Sequence, residues 1–200
     1  RWKALHYAAR KFYAPVLVSL LEDADRGTVQ IHVTNDRNIA VNGTAAVRVL
    51  SVDGTVLRQE SFPVSVRPRS SRRAGTLSAA DLLQQHGPGN ILVEAVLRTD
   101  EGIVSDNLAT FSRPKRLSLR PPGISASVRE ESGVFHVTLR AKRPALWVWL
   151  ELDGMDARYS DNFFHLLPGR PVEVLVRPAT RMRQDRFARR LKIRSLVDTF

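Results

Sequence analysis

Apolar positions in this chain recur every second residue far more often than every third or fourth. Thr28–Thr34 alternates with Val29, Ile31 and Val33 on one side, and Val134–Ala141 does the same with Phe135, Val137 and Leu139. Similar short runs fall at Val16–Leu21, Thr44–Val52, Val56–Phe62, Asn90–Arg98 and Ile103–Phe111, divided by turn clusters such as Glu22–Gly27, Asn35–Asn38 and Asp53–Gly54. Pro63 and Pro68 mark the segment between them as an edge or a crossing. One interior helix is expected at Ser78–Gln85, capped by Ser78, with Asp81 completing a capping-box arrangement and Gly87–Pro88 as the stop. Strands of this length and spacing predict an immunoglobulin-like sandwich.

Ser112–Gly123 then holds three prolines and four basic residues, the composition of a short, stiff linker. Beyond it, Ile124–Arg129, Val134–Ala141, Ala145–Leu152, Tyr159–Leu167, Val172–Val176 and Leu191–Leu196 read as a second sandwich, with Met182–Arg190 a charged loop or a helical turn. Ala145–Leu152 is apolar on both faces, which predicts a central strand covered on both sides. The fold class is therefore mostly β: two tandem immunoglobulin-like β-sandwiches preceded by one N-terminal amphipathic helix.

That helix occupies the first 13 residues. Trp2, Leu5, Ala9, Phe12 and Tyr13 recur at three- and four-residue steps, with Arg1, Lys3, Arg10 and Lys11 largely off that line, before Ala14–Pro15 turns the chain into a strand. The pattern admits a helix packed on its own domain, or the last helix of a preceding domain. On the second reading Trp2, Leu5, Phe12 and Tyr13 form an exposed interface. The helix should then fold back on the first sandwich or dock on a second copy, giving a homodimer through the helix.

Three stretches resemble one known family. WKALHYAARKFYAPVLVS (residues 2–19) is similar to the end of the catalytic barrel, and the exit from it, in glycoside hydrolase family 2 β-mannosidases. YSDNFFHLLPGRPVEV (159–174) and the closing LKIRSLVDTF (191–200) resemble their C-terminal immunoglobulin-like domain. The resemblance implies residues 1–14 as the last helix of a truncated barrel, 15–115 as one sandwich and 116–200 as the C-terminal one. It also implies that the catalytic glutamates lie upstream, so that this stretch scaffolds a retaining exo-β-mannosidase whose oligosaccharide substrate meets the missing barrel. Exo-β-glucosaminidases and endo-β-mannosidases of the same family share this plan.

Composition changes the picture little. At 43% hydrophobic and 26% charged the chain is ordinary, and it lacks cysteine, which excludes disulfides and thiolate chemistry. No apolar run approaches the roughly 20 residues of a membrane span, and the compartment stays open between cytoplasm and periplasm. The net charge of +11 raises nucleic acid as a partner. Arginine groups at Arg67–Arg73 and Arg113–Arg120, both in loop or linker positions, and at Arg181–Arg194 lack interleaved aromatics, however, and read as solvated surface rather than as a nucleic-acid site.

Candidate chemistry is sparse. Glu94, Glu130, Glu131, Glu151, Asp153, Asp156 and Asp161 are mostly turn carboxylates, without the paired surroundings that retaining hydrolysis requires. His6, His32, His86, His136 and His165 are scattered without metal-ligand spacing, and Asp161 has no neighbouring carboxylates with which to hold calcium. No catalytic residue, cofactor or metal is expected. Trp147 and Trp149, two apart on one strand, point the same way if the strand is regular. They serve as core or interdomain contacts, or, in a carbohydrate-binding module, as a stacking platform. Asp161 and Asn162 are expected to hold a strand corner, with Tyr159 beside them in the manner of a tyrosine corner.

Overall fold

The computed structural model describes residues 3–199 and divides into two compact units. One is Lys11–Ser118. The other runs from Leu119 onward and includes the N-terminal helix as far as Arg10.

In the first unit, β1 (Val16–Asp23), β2 (Thr28–Asn35) and β5 (Ser70–Ser78) form one antiparallel sheet, in the order β1-β2-β5. The other sheet is β4-β3-β6-β7, built from β3 (Val41–Ser51), β4 (Val56–Val66), β6 (Ile91–Thr99) and β7 (Gly102–Ala109). The inward residues Val29, Ile31, Val33, Val47, Val49, Val93 and Leu97 make an aliphatic core between them. β4 runs straight through Pro63 because it is an edge strand, where the missing N–H breaks no ladder.

Two local expectations fail here. The arginine-rich loop after Pro68 is in part a strand, β5. It lies at a sheet edge with Leu77 as its one buried side chain, so it carries almost no apolar signal. Gly75 in that strand is required by packing, since a Cβ there would sit 2.1 Å from a Phe62 ring carbon. The interior helix α2 spans Ala80–His86, and its N-cap is Ala79, with no side-chain cap bond. Ser78 is consumed by β5 pairing, and Asp81 is drawn to Arg58 at 2.6 Å instead.

In the second unit, β8 (Ser125–Glu131), β9 (Val134–Arg140), β11 (Ala157–Tyr159) and β13 (Val172–Pro178) form the sheet β11-β13-β9-β8. Facing it is β12-β10-β14, from β10 (Ala145–Leu152), β12 (Phe164–Leu166) and β14 (Leu191–Arg194). Helix α3 (Gln184–Arg190) inserts Phe187, fully buried, flat against Phe135 with ring centroids 3.9 Å apart. Most of the 182–190 stretch is therefore a core-sealing helix, although Phe187 is its one deeply buried side chain.

Candidate functional site

Helix α1 (Ala4–Phe12) docks on the second unit, not on the sandwich that follows it in sequence. Tyr7 makes the contact. It is 4% exposed, the one buried residue of the helix, and its ring lies 6.1 Å from that of Phe163. Arg10, one turn on, donates to the Ser160 carbonyl at 2.6 Å and lies 3.3 Å from the Asp161 carboxylate. Tyr7 sits two residues from Leu5 and from Ala9, about 200° around the helix from each. The docked face is thus roughly opposite the apolar stripe. Leu5, Phe12 and Tyr13 remain 70%, 48% and 80% exposed. Trp2 lies outside the described residues.

The receiving surface is built by an irregular strand. In β10, Ala145 and Val148 face the core three residues apart, across a bulge at which Trp147 adopts φ = 47°. Beyond the bulge the strand alternates regularly, with Val148, Leu150 and Leu152 buried and Trp147 and Trp149 half-buried between them, and each indole has its own partner across the strand pair. Trp147 meets His165 edge-on at 5.4 Å, whereas Trp149 stacks on Phe163 at 6.0 Å with planes within 12°. Phe163 is itself at φ = 58°, a region costly for a bulky residue.

What holds this strained corner is Asn162. Its Oδ1 accepts from the Leu150 N–H at 2.7 Å and its Nδ2 donates to the Leu150 carbonyl at 3.0 Å. The side-chain amide thus continues the ladder of β10 one step beyond its backbone pairing with Phe164. Asp161 accepts from the Asn162 N–H at 2.8 Å, and Ser160 Oγ accepts from the Leu175 N–H at 2.8 Å. Phe164 is then turned into the core and Phe163 out toward Tyr7. Tyr159, on β11, packs at the core margin.

Tyr7, Trp149, Tyr159, Phe163, Asn162 and Glu151 line a recess of about 140 Å³. Burial raises the Tyr7 phenol above its ordinary pKa, opposed by Arg10 and reinforced by Asp161. Aromatic faces and one carboxylate, Glu151, itself 3.6 Å from Arg194, suit packing rather than proton transfer.

Four of the other five candidate acids have structural partners. Glu94 is buried beside Arg48, Glu130 accepts from the Gly133 N–H, Glu131 faces Arg129, and Asp153 faces Lys192 at 3.1 Å. His32 bonds Gln30, and His165 Nδ1 accepts from the Trp147 N–H. No group of three His, Asp or Glu side chains among the described residues is placed to hold a metal. Tyr7 and Arg10 were not legible as site residues. Their only early signal was the i, i+3 spacing of a tyrosine and an arginine on the polar side of the helix.

Known proteins place this architecture. Residues 27–116 match a mannosidase Ig/CBM-like domain model, and residues 119–199 match the mannosidase model described as an Ig-fold domain. Beta-mannosidase A of Emericella nidulans is 28% identical over 217 residues, covering 99% of this chain and 23% of the relative. The Aspergillus clavatus protein of the same name is 29% identical over 188 residues, covering 87% and 20%. The chain therefore spans less than a quarter of the length of these relatives. Among solved structures, the β-D-mannosidase of Dictyoglomus thermophilum superposes with a TM-score of 0.81 at 17% identity, over 98% of this chain and 23% of that one. An exo-chitosanase of Amycolatopsis orientalis gives 0.64 at 18%, over 96% and 26%. Both likenesses speak to fold. Carrying the Ig/CBM-like and Ig-fold domains end to end, the chain corresponds to the immunoglobulin-like C-terminal region of glycoside hydrolase family 2 β-mannosidases.

Proposed function

We propose that this chain is the non-catalytic accessory region of an enzyme that removes terminal β-linked mannose from oligosaccharides with retention of configuration. The observation that carries this reading is the tandem of two mannosidase-type domains in a chain whose relatives are more than four times as long. On it, residues 1–14 end a catalytic barrel, 15–115 and 116–200 are the accessory sandwiches, and the paired glutamates belong to sequence upstream. Leu5, Phe12 and Tyr13 then face that barrel, while Tyr7 and Arg10 fasten the helix to the C-terminal sandwich. The barrel exit would be clamped from two sides, a scaffolding role that needs no chemistry of its own.

The test is hydrolysis of p-nitrophenyl β-D-mannoside by the 200-residue chain and by the full reading frame from which it comes. Release by the longer protein alone is the expected result. Turnover by the 200 residues unaided would overturn the proposal, as would a natural frame without an upstream carboxylate pair.

A further inference from the structure

The chain's positive charge is not evenly spread. Between residues 177 and 194 stand eight cations, Arg177, Arg181, Arg183, Arg186, Arg189, Arg190, Lys192 and Arg194, against one carboxylate, Asp185, so this stretch holds seven of the eleven net charges. Helix α3 concentrates them. Arg186 is three residues from Arg189 and four from Arg190, the spacings at which like charges on a helix repel. These three arginines and Asp153 line one recess of about 470 Å³.

The recess has little to neutralise it. The Asp153 carboxylate lies 3.1 Å from Lys192, and its backbone carbonyl accepts from Arg190. Asp185 lies 3.1 Å from Arg189. Arg186 is paired with no carboxylate among the described residues. Three arginines of one short helix thus share the lining of a single hollow. Guanidinium groups bind oxyanions through paired N–H donors, and several together bind a row of such groups better than one alone.

We propose that this recess is an oxyanion-binding site, with Arg186 and Arg189 as its principal ligands, taking sulfate, phosphate or carboxylate groups. The site is independent of the accessory role proposed above. The oxyanion can come free or be repeated along an acidic polysaccharide, and the two sources are separable.

The test uses a fluorescent heparin octasaccharide, titrated against the 200-residue chain at several chloride concentrations. The double variant Arg186→Gln/Arg189→Gln is expected to weaken binding at least tenfold and to reduce the slope of log affinity against log salt by about two. Arg67→Gln/Arg73→Gln removes the same charge from the other unit and is expected to cost less than threefold. Far-ultraviolet circular dichroism verifies that each variant is folded. Equal losses from the two double variants, or no binding by the parent at 0.1 M salt, would overturn the site. Inorganic sulfate that displaces the octasaccharide, at ionic strength matched with chloride, assigns the free ion as ligand. Sulfate without effect, with the variant difference intact, assigns the polymer. A duplex DNA fragment bound more tightly than heparin through the same arginines would overturn the assignment to free oxyanion or acidic polysaccharide.

Discussion

The two sandwiches reach a closed core by different means. In Lys11–Ser118 the strands are long, with β3 and β4 at 11 residues each, and the core is almost wholly valine, isoleucine, leucine and alanine, with Phe111 at its margin. The second unit contains two strands of three residues, β11 and β12, and its core takes in Phe135, Phe164 and the helix-borne Phe187. Long regular strands close a core with small β-branched side chains, because every second residue reaches the centre. Short interrupted strands leave gaps, and here large aromatic rings and a side-chain amide fill them. The irregular unit is also the one that receives α1.

If that contrast is right, the second core depends on single side chains to a degree the first does not. Phe187→Ala removes a fully buried, stacked ring and is expected to cost about 3–5 kcal/mol. Ile31→Ala, an equally complete truncation at an equally buried site in the first core, should cost less, toward the lower end of about 2–5 kcal/mol. Urea unfolding followed by circular dichroism reads both. Comparable losses from the two substitutions would erase the distinction.

A second expectation sharpens the comparison by showing what the units share. Each buries one asparagine amide against backbone. Asn162 serves Leu150, while Asn35 donates to the carbonyls of Ile39, Val66 and Arg67 and accepts from the Arg37 N–H. Replacement by alanine strands those backbone groups and should cost about 2–3 kcal/mol at either site. A cost at Asn162 far above that at Asn35 would mean that the corner also supports the docking of α1. The alanine variant of Asn162 would then show a freed helix before global unfolding.

The same contrast decides what could be read from sequence. Val29, Ile31 and Val33 announced their strand because one face of β2 is core and the other is not. β5 stayed hidden because an edge strand with a single buried leucine has no period to detect. Ser78 looked like a helix cap, yet sheet pairing outbid the local hydrogen bond, a tertiary effect that no seven-residue window contains. The bulge at Trp147 left no sequence mark either, since a left-handed tryptophan is held by its surroundings rather than by its own preference. Tyr7 was missed for a plainer reason. The hydrophobic stripe identifies the most apolar side of a helix, but this helix is held by a phenol and a guanidinium on its other side.

That last point yields the smallest predicted effect and the most direct test of how α1 is held. Tyr7 is docked as a neutral phenol, and burial sets its folded pKa above the ordinary value of 10.0. The docked state therefore keeps its full stability below pH 10 and loses it as pH rises through the higher, folded pKa. Because the chain has no native cysteine, Leu5→Cys gives a single labelling site on the exposed face of the helix. Fluorescence anisotropy of a dye there should hold steady to about pH 10 and fall beyond it as the helix comes free. The far-ultraviolet signal of the β-sheets should stay unchanged over the same range. In the Tyr7→Phe background the ring remains but cannot ionise, so the fall should disappear. An identical fall in both proteins would show that the helix is released by general alkaline loosening, and that Tyr7 is a passenger on α1 rather than the residue that fastens it.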